Sequence, residues 1–279
     1  MIKQLKDINF GDLLILDTNI NEYDFNSYLN SGNHPIKGFC TKCEQKGINI
    51  CPTDQKFKLQ AISHGSMSDD YIMALEDSNI DTSSWKTENV LFIMESPGIV
   101  NDFYKEVEYN GIKKCPSVEW YWIHEKQEKY TYPDNFIGGA YGNLFNSIIF
   151  TFELKNAYFT NFVKCGLNDE NGNYKGLDEY DQNCITTCFN EYLLKEIDII
   201  KPKIVFCFGS KAESLLWDYY PNEYSFSVVG LPHPARSRQG FKNEFFRHLY
   251  FHMILEALYK SGIYTFDETM EKYKLFLQN

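Results

Sequence analysis

Four short apolar runs, separated by segments of helical pattern, constrain the fold of this 279-residue chain more than any other feature. They are Val90–Met94, Ala157–Thr160, Lys203–Phe208 and Ser225–Val229. Runs this short and this continuously apolar read as strands buried on both faces. Strands that alternate with helices form a parallel sheet with helices packed on each side. The intervening segments fit. Gly138–Phe150 reads as a helix after a glycine-rich start. Asn183–Ile200 carries Leu193, Leu194, Ile197 and Ile200 at helical spacing, and Pro202 stops it. Gly209-Ser210 caps a helix through Leu216. Asn243–Lys260 is amphipathic, with Phe246, Leu249, Tyr250, Met253 and Ala257 on its apolar side. The expected architecture is three-layer α/β/α with a central four-stranded, mainly parallel sheet.

In such sheets the active site lies at the carboxyl ends of the strands. Three of the four runs end in a chemically useful side chain: Glu95 in Glu95-Ser96-Pro97-Gly98, Asn161 in Asn161-Phe162-Val163-Lys164-Cys165, and His233 in Gly230-Leu231-Pro232-His233-Pro234. Each has a plainer reading: a carboxylate capping a loop, an amide closing an Asx-turn, a satisfied structural histidine. Polar residues scattered at random do not fall at three strand ends together.

The rest of the chain sets bounds. It is 43% hydrophobic, enough for a sizeable core, and 16% aromatic. No apolar run is long enough for a membrane-spanning helix, so no membrane partner is expected. Met1–Leu16 lacks the basic start, apolar stretch and small-residue cleavage site of a signal peptide. A cytoplasmic protein is expected, and its 8 cysteines are then thiols or metal ligands rather than disulfides. A net charge of −11 works against nucleic acid as a partner. A local basic group, Arg236, Arg238, Lys242 and Arg247, offsets this, although such a cluster also reads as an ordinary solvated face. Residues 1–87 look irregular, with turn signals at Asn30–Asn33 and Gly65-Ser66. Residues 99–135 have no clear period, and 166–182 read as a polar loop. No linker divides the chain, so 1–279 is read as one domain, with 1–87 as an extension and 99–135 as an insertion.

The motifs at these strand ends resemble those of uracil-DNA glycosylases, especially the iron–sulfur-containing families. Val90–Gly98 (VLFIMESPG) is similar to their first motif, a strand ending Gly-Glu-x-Pro-Gly. Phe159–Cys165 (FTNFVKC) resembles Thr-Asn-x-Val-Lys-Cys. Cys188–Ala212 resembles the segment that runs from a cysteine through a helix, Lys-Pro and a strand to Gly-x-x-Ala. Gly230–Ala235 (GLPHPA) resembles their His-Pro-Ser/Ala motif. Order and character agree over residues 88 to 260. Met94 stands where the family has glycine, the loop Phe136–Gly142 has no proline before its phenylalanine, the interval 98–136 is longer, and Arg236-Ser237 replaces an apolar wedge.

The resemblance implies a DNA glycosylase that hydrolyses the N-glycosidic bond of a flipped-out pyrimidine, uracil or a modified base. Breaking that bond places positive charge on the sugar and negative charge on the departing base, and the base must first leave the stack, at a cost of a few kcal/mol. Glu95 then orients water or stabilises the sugar cation. His233 donates a hydrogen bond to the base as charge develops, a role worth roughly 3 kcal/mol. Asn161 reads the base's polar edge with its paired donor and acceptor. Phe136, or Tyr141 if the register shifts, is the stacking platform, worth about 1–3 kcal/mol. Pro97 and Gly98 line the base pocket. Arg236, Ser237, Arg238 and Lys242 contact the DNA, single- or double-stranded. Cys40 and Cys43 (a CxxC), with Cys165 and Cys188, are the implied ligands of a [4Fe–4S] cluster, with zinc as the alternative and Cys51 and Cys184 as rival ligands. Cys115 and Cys207 are read as non-ligands, Cys207 as core. The protein is expected to be a monomer. Two further readings share the fold: a glycosylase acting on modified bases of foreign (phage) DNA in defence, and a catalytically silent nucleic-acid-binding protein.

Overall fold

The computed structural model describes residues 57–62, 66–96, 107–109, 112–114, 139–169, 176–220, 225–233 and 244–278. Its centre is a sheet of strands β2 (Ser66–Met67), β6 (Leu154–Asn161), β3 (Lys86–Met94), β8 (Ile204–Phe208) and β9 (Ser227–Leu231), side by side in that order. The last four are parallel to their neighbours. The short edge strand β2 runs antiparallel to β6. The four-stranded parallel sheet expected from the apolar runs is therefore present, with one small strand added. Two small antiparallel pairs lie outside it: β1 (Phe57–Ile62) with β7 (Cys165–Asp169), and β4 (Val107–Tyr109) with β5 (Ile112–Lys114).

Helices cover both faces, as strands buried on two sides require. Along β3, Val90 and Phe92 point to one face and Leu91 and Ile93 to the other, all fully buried. The first face packs against α1 (Asp69–Asp77), α2 (Gly139–Thr151) and α6 (Glu244–Lys260), with Tyr273 and Phe276 of α7 (Phe266–Gln278) at its margin. The second packs against α3 (Gln182–Cys188), α4 (Leu194–Ile200) and α5 (Ser210–Tyr219). An aromatic row runs across the strands. The Phe92 ring stacks on its register partners Phe159 and Phe206, with centroids 4.7 and 5.1 Å away. Such pairs add about 0.5–1.5 kcal/mol each beyond the area they bury.

The helix anticipated over Asn183–Ile200 begins at Gln182, where the Asp181 carboxylate accepts from the Asn183 amide at 2.7 Å. It is not uniform. Phe189–Leu193 is π-helical and joins α3 to α4. The helix ends on Lys201 in the left-handed conformation (φ 49°), just before Pro202.

Several expectations are corrected. Residues 57–87, read as irregular, contain β1, β2, α1 and the start of β3. Part of the 166–182 loop is strand β7, and part of 99–135 is the β4–β5 hairpin. The fourth strand is displaced to Ser227–Leu231, because Phe226 turns into the core before pairing begins. Helix α5 extends to Tyr219, and its N-cap is Gly209 without a side-chain cap. The core face of α6 is set by Tyr250, Phe251, Ile254, Leu255 and Leu258, whereas Leu249 and Met253 are half-buried. Helix α7 was not anticipated. Its sequence does carry apolar residues at helical spacing, Phe266, Met270, Tyr273 and Leu277, although Phe266 and Leu277 remain largely exposed. Among the described residues, no helix is long and apolar enough to cross a membrane.

Candidate functional site

All four parallel strands deliver their carboxyl ends to one edge of the sheet, and the chain tightens there. Strand β3 leads into Glu95, β6 ends at Asn161, β8 is followed by Gly209, and β9 is followed by Pro232-His233. Backbone hydrogen bonds tie these ends in pairs. The Phe162 amide donates to the Met94 carbonyl (2.7 Å) and the Val163 amide to the Glu95 carbonyl (3.1 Å). On the other side, the Gly209 amide donates to the Leu231 carbonyl at 2.8 Å. The Tyr250 hydroxyl donates to the Pro232 carbonyl and so anchors the His233 loop to α6.

Gly209 is the centre of this edge. Its φ of 99° is a conformation that side-chain-bearing residues rarely adopt. A β-carbon built on it would stand 2.5 Å from Glu95 Oε1 and 3.3 Å from His233 Cδ2. The carboxylate and the imidazole therefore approach one backbone position, which is bare because it is glycine. Gly209 also caps the N-terminus of α5, so the Glu95 carboxylate sits at the positive end of that helix. Both side chains are half-buried, in reach of water and of a ligand. One turn further along α5, the Glu213 carboxylate lies against Gly230 of β9, 2.0 Å from where a β-carbon would be. A glycine just after β8 and another within β9 thus each make room for a carboxylate.

Asn161 is in register with Met94, the residue before Glu95. Its side-chain Oδ1 is fully buried. The same strand end carries Lys164, whose ammonium group forms an ion pair with Glu196 of α4 at 2.7 Å, both side chains at zero exposure.

Residues 122–258 match the family model described as the uracil DNA glycosylase superfamily. This stretch, just under half of the chain, is similar to that superfamily. A search of the curated proteins finds no match. The matched stretch holds β6, β8 and β9, and with them Asn161, Gly209 and His233; Glu95 and β3 precede it. The similarity supports a glycosylase-like function on DNA.

The structure thus brings Glu95 and His233 together and places Asn161 on the adjoining strand end. Cys188 lies at the end of α3, 1% exposed, within the core that contains Phe162 and Phe189. Cys184 is buried one turn earlier, and Cys207 is buried within β8. Cys165 begins β7 and Tyr141 lies in α2, both described through the backbone alone. Phe136, Pro97, Gly98, Arg236, Ser237, Arg238, Lys242, Cys40 and Cys43 lie outside the described residues. Among the described residues, no three of His, Cys, Asp or Glu are grouped so as to hold a metal. Sequence reasoning missed Gly209 as the meeting point, although a glycine between a buried strand and a helix marks a close approach. It missed the Lys164–Glu196 pair altogether, since 32 residues separate the partners.

Proposed function

We propose that this chain is a DNA glycosylase that hydrolyses the N-glycosidic bond of a flipped-out pyrimidine, uracil or a modified base, and leaves an abasic site. The observation that carries the reading is the approach of Glu95 and His233 to the bare backbone of Gly209. Glycosidic hydrolysis needs a carboxylate on the sugar side and a hydrogen-bond donor on the base side of one bond. In this reading Glu95 holds the attacking water or faces the sugar cation. Water oxygen bonds to the anomeric carbon as the bond from that carbon to the base nitrogen breaks, and the electron pair leaves with the base. The His233 imidazole donates to the base oxygen on which that charge settles. The proton lost by water is available to the departing base. Asn161 supplies the amide that reads the base edge, with Phe136 or Tyr141 as the stacking surface, and Pro97 and Gly98 as pocket wall. Arg236, Ser237, Arg238 and Lys242 contact the backbone of the DNA.

In the same reading, Cys40, Cys43, Cys165 and Cys188 hold a [4Fe–4S] cluster. Thiolates are the donors such clusters take, and Cys188 is already shielded from water. A cluster there is structural and takes no part in the chemistry. Brown colour, visible absorbance, and iron and sulfide in the purified protein test it; a colourless protein containing zinc favours the alternative.

The deciding experiment incubates the full chain with single- and double-stranded oligonucleotides bearing uracil or modified pyrimidines, then reveals abasic sites with alkali. Cleavage at one of these bases is the expected result. Binding without cleavage on every substrate overturns the reading in favour of a silent DNA-binding protein. Preference for a modified base over uracil favours the defence reading, with which the length of the interval between Gly98 and Phe136 accords.

A further inference from the structure

Behind the proposed base-reading amide lies an ion pair that the chemistry above does not use. Lys164 and Glu196 are both at zero side-chain exposure, 2.7 Å apart. The ammonium group has three hydrogens and three acceptors: Glu196 Oε2, Thr160 Oγ1 and the backbone carbonyl of Asn161, the last at 2.9 Å. Glu196 in turn accepts from the Tyr158 hydroxyl at 3.2 Å and the Thr160 hydroxyl at 3.0 Å. The cluster is closed: each charged group is satisfied by the other and by the last turns of β6. A buried ion pair is a poor source of stability, because desolvation cancels most of its attraction. What it does supply is a fixed geometry.

That geometry bears directly on the site. The lysine grips the main chain of Asn161 itself, and the turn it closes, residues 161–164, donates its Phe162 and Val163 amides to the carbonyls of Met94 and Glu95. We propose that Lys164 and Glu196 are a positioning pair, which fixes the direction of the Asn161 amide and thereby the choice of base. The inference rests on the glycosylase reading and deepens it. Neither residue touches the nucleotide; both act through Asn161.

The test compares the wild-type full chain with the double variant Lys164→Met/Glu196→Leu, which removes both charges at similar volume, with Tyr158→Phe, which removes one hydrogen bond to Glu196, and with Thr160→Val, which removes one to Glu196 and the acceptor of one from Lys164. Folding is checked by thermal melting. The readout is the ratio of kcat/KM for the preferred base over the next best, on oligonucleotides carrying uracil, thymine, cytosine and 5-modified pyrimidines. A folded double variant is expected to lose about 10-fold or more of that ratio, mostly through kcat, as small misplacements of a reading group do. The single hydroxyl variants, which keep the ion pair, lose less and remain folded if the double variant does not. A purely structural pair lowers the melting temperature and leaves the ratio unchanged. Unchanged base preference in the folded variants, with an active wild type, overturns this proposal alone. A wild type that releases no base from any oligonucleotide overturns the glycosylase reading and this proposal with it.

Discussion

Glu95 Oε1 reaches to 2.5 Å from the position a β-carbon on Gly209 would occupy. The site thus depends on an absent side chain as much as on those present. Gly209→Ala is expected to displace the carboxylate and strain a backbone at φ 99°. Activity should fall about 100-fold, with a stability loss of about 1–3 kcal/mol. Kinetics and denaturant melts on the same preparation check both. A variant of wild-type activity would show that the Glu95 carboxylate has no fixed place in the reaction.

His233 faces the same glycine at its ring edge. If it donates to the departing base, His233→Ala should lower kcat by about 100- to 1,000-fold. KM should move little, since the hydrogen bond strengthens only as charge develops. Single-turnover measurement on an excess of enzyme isolates that step. A rise in KM with kcat intact would instead make His233 a binding residue.

The aromatic row through Phe92 lies at the centre of the core on one face of the sheet. Phe92→Ala removes the middle ring from between Phe159 and Phe206 and is expected to cost about 3–5 kcal/mol. Urea denaturation reads this as a lower midpoint at unchanged slope.

Breaking the Lys164–Glu196 pair on one side should differ from removing it whole. Lys164→Met leaves a carboxylate at zero exposure without its partner and should cost about 3–5 kcal/mol, while Lys164→Met/Glu196→Leu should return most of that loss. Equal melting temperatures for single and double variants would contradict it.

Glu268 anchors α7 to the sheet through Lys86 at 2.6 Å. The lysine hydrogen bond, helped by the Thr265 amide, lowers its pKa from 4.5 to about 2. A carboxylate with a depressed folded-state pKa stabilises the fold above its unfolded value and loses that contribution as pH falls. The expected window runs from about 4.5 down to about 2. The carboxylate is substantially exposed, so solvent screening holds the contribution to no more than about 1 kcal/mol. Glu268→Gln should lower the melting temperature at neutral pH and leave it unchanged below that window.

The parallel sheet was legible because Val90–Met94, Ala157–Phe159 and Ile204–Phe208 are continuously apolar and too short for buried helices. The candidate edge was legible for the same reason: Glu95, Asn161 and His233 interrupt that pattern where it ends. What escaped is what depends on distant partners. Strand β7 reads as polar loop because it pairs with β1 outside the main sheet. Helix α7 is an exception, a plain oversight: Phe266, Met270, Tyr273 and Leu277 stand at helical spacing in the sequence. Lys164 looks like a surface base until Glu196 arrives from another layer of the fold.

The π-helical turn at Phe189–Leu193 has a consequence for the length of its helix. Cys184, Cys188, Tyr192, Glu196 and Ile200 recur every fourth residue and are all buried. In an ordinary α-helix such a row drifts by about 40° at each step, because a turn takes only 3.6 residues. The wider turn absorbs the drift. Deleting one residue there would let the turn close as ordinary α-helix with Glu196 still facing its lysine, whereas deleting one from the regular turns on either side would rotate the two halves by about 100° relative to each other. The slack of this helix is thus confined to its wide turn; elsewhere its residue count is bound to a lysine on the adjoining sheet.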